Sequence, residues 1–176
     1  MDLTESIAPK SDQLDAIDLI SGPRTFTIEK VTTHNAEQPF NFHLLEFPRV
    51  WRPGKSMRRV IVAAWGSTAD KYVGQRVTLY CDPAVDFGGV AVGGTRISHM
   101  SGITEPLKVP LLIKRGKSAI FTVQPLPPRD WNRDLKLAGT NIVAVILLGK
   151  AAKLSQATPD VIKDITARYN ELKATV

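Results

Sequence analysis

The sequence predicts a mainly β fold, a small barrel, followed by a short helical segment at the C-terminus. Five to seven short stretches rich in β-branched and aromatic residues, separated by turn signals, lie between residues 25 and 124. Pairs of glycine bend some of these stretches, as the strands of a small barrel require. After the proline-rich run Pro125–Pro128, apolar residues recur at helical spacing instead.

The chain begins with an acidic leader over residues 1–24. Its first twenty residues carry five acids and one base, and Pro9 interrupts any regular element there. We expect the leader to be poorly ordered unless it docks on the body of the protein. Two arrangements are consistent with its charge: it lies over a basic face when no nucleic acid is bound, or it remains an unattached tail.

Two strands are predicted after the leader. Thr25–Thr33 is rich in β-branched and aromatic residues, and Phe40–Phe47 alternates apolar with polar residues. The next segment, Val50–Lys55, contains the turn signal Pro53-Gly54. We therefore expect it to be an exposed loop.

Two further strands are predicted in the centre of the chain. Met57–Trp65 is largely apolar on both faces after its first residues, which favours a central strand. A short helical turn over Ser67–Val73 leads into the strand Arg76–Cys81. Alternation places one set of its residues in the core and the other on a polar, exposed face. The core set is Val77, Leu79 and Cys81, and the exposed set is Arg76, Thr78 and Tyr80.

The remaining strands are predicted to form two hairpins. The first turns at Gly88-Gly89, and a bend at Gly93-Gly94 precedes the next strand, Thr95–Ser98. The second hairpin joins Val109–Ile113 to Ala119–Val123. Its tip is basic and carries Lys114, Arg115 and Lys117.

A proline-rich linker, residues 125–129, is predicted to join the barrel of residues 25–124 to a helical segment, residues 130–176. Helices are expected over Asp130–Leu137, Asn141–Leu154 and Val161–Ala174, the last of them after the cap Thr158. We expect Trp131 to anchor this tail, either on the barrel or within the tail itself.

The distribution of charge indicates a polyanionic partner. The chain of 176 residues has a net charge of +6 and a pI of about 9.6. Residues 48–80 alone contain seven bases and the single acid Asp70, interleaved with aromatic residues. Cations mixed with flat rings are suited to holding phosphates and stacking bases. The alternative is a solvated basic rim around an ordinary barrel.

The candidate binding residues are the cations and rings that the predicted elements leave exposed. Trp51 lies in a polar loop beside two arginines, and Tyr80 shares its strand face with Arg76. Trp65 and Tyr72 are instead expected in the core. The proposed phosphate ligands on and near these strands are Arg49, Arg52, Lys55, Arg58, Arg59 and Arg76, the stacking residues are Trp51 and Tyr80, and the hairpin tip adds Lys114, Arg115 and Lys117.

No set of residues predicts catalysis, a metal or a cofactor, so an enzyme is not expected. The three histidines are widely separated, and the single cysteine, Cys81, lies in an apolar alternation typical of a core thiol. A single cysteine excludes an intrachain disulfide and fits a reducing cytoplasm. No signal sequence and no run long enough to span a bilayer is present, so we expect a cytoplasmic protein without a membrane partner.

One run of sequence resembles a group of small proteins from phages that infect actinobacteria. It extends from Tyr72-Val73-Gly74-Gln75-Arg76 to Arg96-Ile97-Ser98-His99-Met100, and the approach Arg52–Arg59 belongs to the same resemblance. The resemblance covers roughly residues 12–123 and implies an oligonucleotide-binding (OB) fold. It also implies single-stranded-DNA binding or a role in DNA replication or recombination, in the host cell cytoplasm.

The sequence thus predicts non-catalytic binding of single-stranded DNA by an OB-like barrel. The helical tail is expected to recruit a replication or recombination protein or to mediate self-association. The main alternative is a protein-interaction module that does not bind nucleic acid, such as a virion component or an inhibitor of a host factor. A third interpretation is an accessory subunit of an enzyme, built on the same barrel.

Overall fold

A computed structural model describes residues 11–87, 90–91, 93–114 and 116–175. The strands are β1 (Arg24–Thr33), β2 (Phe40–Leu44), β3 (Arg76–Asp82), β4 (Asp86–Phe87), β5 (Val90–Ala91), β6 (Gly94–Met100), β7 (Leu107–Lys114) and β8 (Lys117–Pro125). The helices are α1 (Lys55–Trp65), α2 (Trp131–Ala138), α3 (Ile142–Leu154) and α4 (Pro159–Ala174). Short 3₁₀ turns cover Ala16–Leu19 and Ala69–Tyr72.

Six strands form one mixed sheet in the order β2-β1-β3-β6-β8-β7. All pairings are antiparallel except β6 with β8, which is parallel. The sheet is open, and within the described residues no ladder joins its edge strands β2 and β7. Because 36% of the chain is helical and 30% is strand, the class is mixed α/β, which corrects the prediction of a mainly β protein.

One face of the sheet carries the main hydrophobic core. Alternate strand residues point into it, among them Phe26, Val77, Leu79 and Ile97, each at most 1% exposed. The core assignment of Val77 and Leu79 is therefore confirmed, and Cys81 packs at the edge of the same cluster, partly buried. The polar alternate residues of β3 face the other side, called here the outer face.

The segment predicted as the strand Met57–Trp65 is helix α1. Its buried residues are Met57, Val60, Ile61 and Trp65, a helical spacing, whereas Val62 between them is 47% exposed. Gly66 ends the helix with a positive φ of +83° and donates its backbone N–H to Val62 O. Packing against the sheet thus outweighs the β propensity of the run Val60-Ile61-Val62.

Helix α1 covers the opening between the two edges of the sheet. It contacts β6 and β7, and the Met57 sulfur accepts a hydrogen bond from the Ile97 backbone at 3.4 Å. Towards β2 it shares a small cavity of about 140 Å³ with Phe40 and Phe42. The side chains of this helix therefore cover the part of the core that the strands leave open.

The second half of the acidic leader docks on the body. Leu14 and Leu19 are 3% and 2% exposed and belong to the main core. The Leu14 N–H donates to Val50 O at 2.7 Å, so the leader runs beside the segment that follows β2. Residues 1–10 lie outside the described part of the chain.

Helices α2, α3 and α4 form a second, smaller core. It contains Ala138, Val145, Leu148, Ala152 and Ile165, with Trp131 packed against it. The side chains of Asp130 and Asn141 cap α2 and α3, accepting hydrogen bonds from Arg133 N and Ala144 N at 3.0 Å. Thr158, the predicted cap of α4, takes the N-cap position before Pro159 without a side-chain hydrogen bond. These three helices agree with the helical tail predicted from the sequence.

The tail is held close to the sheet at Gly74. This residue has a φ of +81°, and a Cβ built on it would lie 2.2 Å from the carbonyl oxygen of Leu154 at the end of α3. Only glycine allows both this backbone conformation and this approach. None of the described helices is both long and apolar enough to cross a membrane.

Candidate nucleic-acid interface

The outer face of β3 and β6 presents a polar row that crosses four strands. Thr25 of β1 lies opposite Thr78 of β3, Thr78 opposite His99 of β6, and His99 opposite Gln124 of β8. The hydroxyls of Thr25 and Thr78 are 2.8 Å apart, and Thr78 is buried, only 8% exposed, which corrects the prediction that it is exposed on this face. Since neighbouring strands lie about 4.8 Å apart, the row spans roughly 14 Å, which is enough for a short stretch of nucleic acid.

Tyr80 and Arg96 lie opposite each other on the next pair of positions of this face. Both side chains are partly exposed, and the Arg96 Nε lies 3.5 Å from Asp82 Oδ2. Burial raises the pKa of the Tyr80 phenol, and the nearby Asp82 carboxylate raises it further, while Arg96 opposes them. Tyr80 is therefore a neutral ring with a donor hydroxyl at physiological pH, beside a fixed positive charge.

Arg76 occupies the other end of the same strand face. Its side chain is partly buried, and Nη1 donates a single long hydrogen bond of 3.4 Å to Pro127 O. Burial lowers the pKa of its guanidinium, and the neighbouring Arg129 lowers it further. Of the sequence-predicted site, Arg76 and Tyr80 thus lie on one surface.

Arg49 and Arg52 are bound by the acidic leader. Arg52 donates from both terminal nitrogens to the Asp12 carboxylate, each at 2.7 Å, and its Nε donates to Asn41 Oδ1 at 2.7 Å. Arg49 pairs with Asp18 and donates to the backbone of Gln13 at 2.6 Å. The arrangement in which the leader lies over basic residues is therefore the one that the structure shows for these two arginines.

The Asp12–Arg52 pair also shifts the pKa values of both partners. The hydrogen bonds from Arg52 hold the pKa of Asp12 below its usual value of 3.8. The same contact raises the pKa of Arg52. The Arg52 side chain is only 8% exposed, so a phosphate would have to displace the leader to reach it.

Trp51 is a core residue, which corrects the expectation of an exposed, base-stacking loop tryptophan. Its ring is 1% exposed and packs edge-on against Phe42, with centroids 5.5 Å apart and planes at 62°. The indole N–H donates to Thr95 Oγ1 at 2.9 Å, and backbone hydrogen bonds of 2.8 Å in both directions tie Trp51 to Phe42. Although its neighbours in sequence are polar, Trp51 forms a short β-bridge with Phe42. Its ring is buried, so no face of it is accessible to a base.

Lys55, Arg58 and Arg59 lie on α1, not on a strand. This helix packs against the core face of the sheet, so its cations are carried away from the outer face. Lys55 and Arg59 are exposed, and Arg58 donates to Pro53 O at 3.0 Å. Within the described part of the chain none of the three forms a salt bridge.

The basic hairpin between β7 and β8 is present, with Lys114 paired with Lys117 at its tip. Lys117 is exposed. The Lys114 side chain and Arg115 lie outside what the structure describes, as do Gly88, Gly89 and Val92 of the first predicted hairpin.

Three other aromatic assignments can be compared with the structure. Trp65 and Tyr72 are buried, 9% and 5% exposed, which confirms the core prediction for both. The Trp65 N–H donates to Ser101 O at 2.7 Å, and the Tyr72 hydroxyl donates to Gly66 O at 2.6 Å. Trp131 packs on the tail's own core with Arg129 over its ring at 4.9 Å, so it anchors the tail within itself.

Sequence reasoning missed the contribution of β6 to the polar face. Strand β6 carries a bulge, because Thr78 pairs with His99 whereas the next residue, Leu79, pairs with Ile97. The bulge changes the alternation, so Arg96 and His99 both point outward although they are an odd number of residues apart. The Gly93-Gly94 bend signalled an irregular strand but not the position of the bulge.

The chemistry available on this face is hydrogen bonding, positive charge and one ring. Within the described ranges no three His, Cys, Asp or Glu side chains come together to hold a metal ion. The chain matches no known protein-family model, and comparisons with curated proteins and with solved structures found no significant similarity.

Proposed function

We propose that the protein binds single-stranded DNA without catalysis, on the outer face of β3 and β6. The observation that carries the proposal is the pairing of Tyr80 with Arg96 beside the polar row of Thr25, Thr78 and His99. A partly exposed ring next to a cation suits a stacked base with an adjacent phosphate. Replication or recombination of phage DNA remains the setting that the sequence resemblance implies.

The connectivity of five strands supports an OB-like arrangement. Strands β1, β3 and β6 follow one another as antiparallel neighbours, and the hairpin of β7 and β8 then joins β6 through the parallel pairing of β8. In the OB fold, a partly open five-stranded Greek-key barrel, the face of the second and third strands binds oligonucleotides. Here β3 and β6 are those strands, and β2 is an addition at the edge.

The proposed site is small, so we expect modest affinity with a clear dependence on salt. A base stacked on Tyr80 contributes about 1–3 kcal/mol. Phosphates held by Arg76 and Arg96 release counterions, and the logarithm of affinity falls with the logarithm of salt by about 0.7 per phosphate on a single strand. Two such contacts give a slope of about −1.4.

A fluorescent single-stranded oligonucleotide, titrated with protein at low and high salt, tests the proposal. We expect Tyr80→Ala to weaken binding about 5- to 150-fold, the range that corresponds to one stacked base. Phe40→Ala is the matched control, because Phe40 is also a partly exposed ring, 40% accessible, but lies on β2 away from the site. Wild-type affinity no tighter than that of a neutral protein would refute the proposal, and duplex DNA and RNA competitors define the preferred strand.

A protein-interaction role is favoured by one separate observation, the exposed apolar side chains of the tail. Leu137 is 76% exposed, Val143 61% and Ile146 40%. Such residues are suited to contact a replication or recombination protein, or a second copy of this chain. Light scattering of wild type and of Leu137→Ser/Val143→Ser tests self-association, which the double substitution is expected to reduce if the tail mediates it.

A further inference from the structure

A cleft of about 990 Å³ lies between the sheet and the helical tail, at the end of β3 that carries Arg76. Its walls are the turn before β3, the loop after β6, the proline-rich segment after β8, and the end of α3. The size is within the range of small-molecule sites, which are about 300–1,000 Å³. The cleft is therefore large enough to admit part of a nucleotide.

Arg76 lines this cleft with most of its hydrogen-bonding capacity unused. A guanidinium carries five N–H donors, and the contacts found for this one amount to the 3.4 Å bond to Pro127 O. Within the described residues it forms no salt bridge. A partly buried charge without a partner is unfavourable, so an anion that enters the cleft gains from pairing with it.

The two carboxylates near Arg76 are already engaged by other donors. Asp134 accepts from Arg129 Nε at 2.7 Å. Glu46 accepts from the backbone N–H and the hydroxyl of Thr27 at 2.6 and 2.7 Å, with Arg129 Nη1 at 3.9 Å. These contacts leave the Arg76 guanidinium without a carboxylate partner among the described residues.

The other polar groups of the cleft are suited to an oxyanion. Lys71 lines it with an exposed ammonium. Ser101 Oγ accepts from the Arg76 backbone N–H at 2.7 Å and donates to Gln75 Oε1 at 2.6 Å, which fixes the Gln75 amide at the cleft wall. The lining includes one acid, Asp70, against the bases Lys71, Arg76 and Arg129.

We infer that this cleft binds a phosphate group of a nucleotide, with Arg76 as its main ligand and Lys71 as a second. The inference rests on the proposed function insofar as the nucleotide belongs to a single strand, because the cleft lies at one end of the outer face. An internal phosphodiester, a terminal phosphate and a free nucleotide share this chemistry. Strands with and without a 5′ phosphate, together with a free nucleotide, separate these three sources.

Arg76→Gln removes the main ligand, and Arg133→Gln is its matched control. Arg133 lies close enough to influence the charge of Arg76, but its side chain is 70% exposed and does not line the cleft. The two variants therefore make the same change in net charge at neighbouring places. Lys71→Gln is a third variant, which removes the charge of an exposed cleft residue without disturbing the core.

The oligonucleotide titration is repeated with these variants, using single strands with and without a 5′ phosphate. We expect Arg76→Gln to weaken binding by on the order of tenfold or more, the range for a charge-assisted contact, and Lys71→Gln by a smaller factor. Arg133→Gln is expected to change affinity less than twofold to threefold. A loss seen only with the 5′-phosphorylated strand assigns the cleft to a terminal phosphate, and an equal loss with both strands assigns it to an internal one.

A second measurement does not depend on DNA binding. Pyrophosphate and a nucleoside monophosphate, added at constant ionic strength, are expected to raise the thermal midpoint of wild type and of Arg133→Gln but not that of Arg76→Gln. The cleft inference is overturned if Arg76→Gln and Arg133→Gln behave alike in both measurements. If phosphates stabilise the protein through Arg76 but no strand binds, the cleft stands and the proposed function fails.

Discussion

The burial of Trp51 makes a quantitative prediction for Trp51→Phe. The substitution removes about 40 Å³ of buried side chain, which at ~24 cal/mol per Å³ costs roughly 1 kcal/mol as a cavity, in addition to a similar loss of transfer free energy. It also removes the 2.9 Å hydrogen bond to Thr95 Oγ1, worth about 0.5–1.5 kcal/mol. We therefore expect the free energy of unfolding to fall by roughly 2–4 kcal/mol.

Urea denaturation followed by far-ultraviolet circular dichroism measures this change without relying on tryptophan fluorescence. Trp131→Phe is the matched control, because the same substitution is made at a ring that is only partly buried. We expect it to cost less than about 1 kcal/mol, and oligonucleotide affinity to be unchanged by Trp51→Phe under conditions where the variant is folded. A Trp51→Phe protein of wild-type stability that binds DNA tenfold more weakly would refute the assignment of Trp51 to the core.

Two further predictions concern the leader and the tail. Asp12→Asn is expected to lower stability at neutral pH. Because Arg52 holds the pKa of Asp12 below its ordinary value of 3.8 in the folded state, the difference from wild type should be complete above pH 3.8. It should be lost as the pH falls through the lower pKa of the folded state. Urea midpoints at pH 7 and at several pH values below 3.8 test this, and a difference that stays the same over the whole series would contradict the pairing. Gly74→Ala should cost about 2–3 kcal/mol, because the new Cβ meets Leu154 O at 2.2 Å. Gly116 has a similar φ of +78° but open space around it, so Gly116→Ala measures the cost of backbone strain without the steric clash. Equal losses of stability in the two variants would argue against close docking of the tail.

Local patterns predicted the strands and the tail helices well, because alternation and helical spacing are set by which face of an element is buried. Strand β1, strand β3 and the β7–β8 hairpin lie close to their predicted positions. Helix α1 was mistaken for a strand, since a β-branched run with apolar neighbours satisfies both periods when it is short. The exposure of Val62 distinguishes a helix from a strand here, and that exposure depends on what packs against the segment.

The candidate site was only partly predictable for a similar reason. Arg76 and Tyr80 were correctly placed on one face because the alternation of a single strand determines it. Trp51 was misplaced, and the pairing of Arg52 with the leader was not located, because their partners, Thr95 and Asp12, lie 44 and 40 residues away in sequence. A polar neighbourhood in sequence does not reveal such long-range contacts, and opposite charge between leader and body gave only a general indication of them.

The most direct test of the central claim is to map where a single strand lies on the protein. A photoreactive single-stranded oligonucleotide is crosslinked to the full chain, and the modified peptides are identified by mass spectrometry. If the strand lies on the outer face, crosslinks are expected in β3 and β6, around Tyr80 and His99, and should disappear at high salt. Crosslinks confined to the exposed face of α1, around Arg59, or none above the level of a neutral protein, would contradict it.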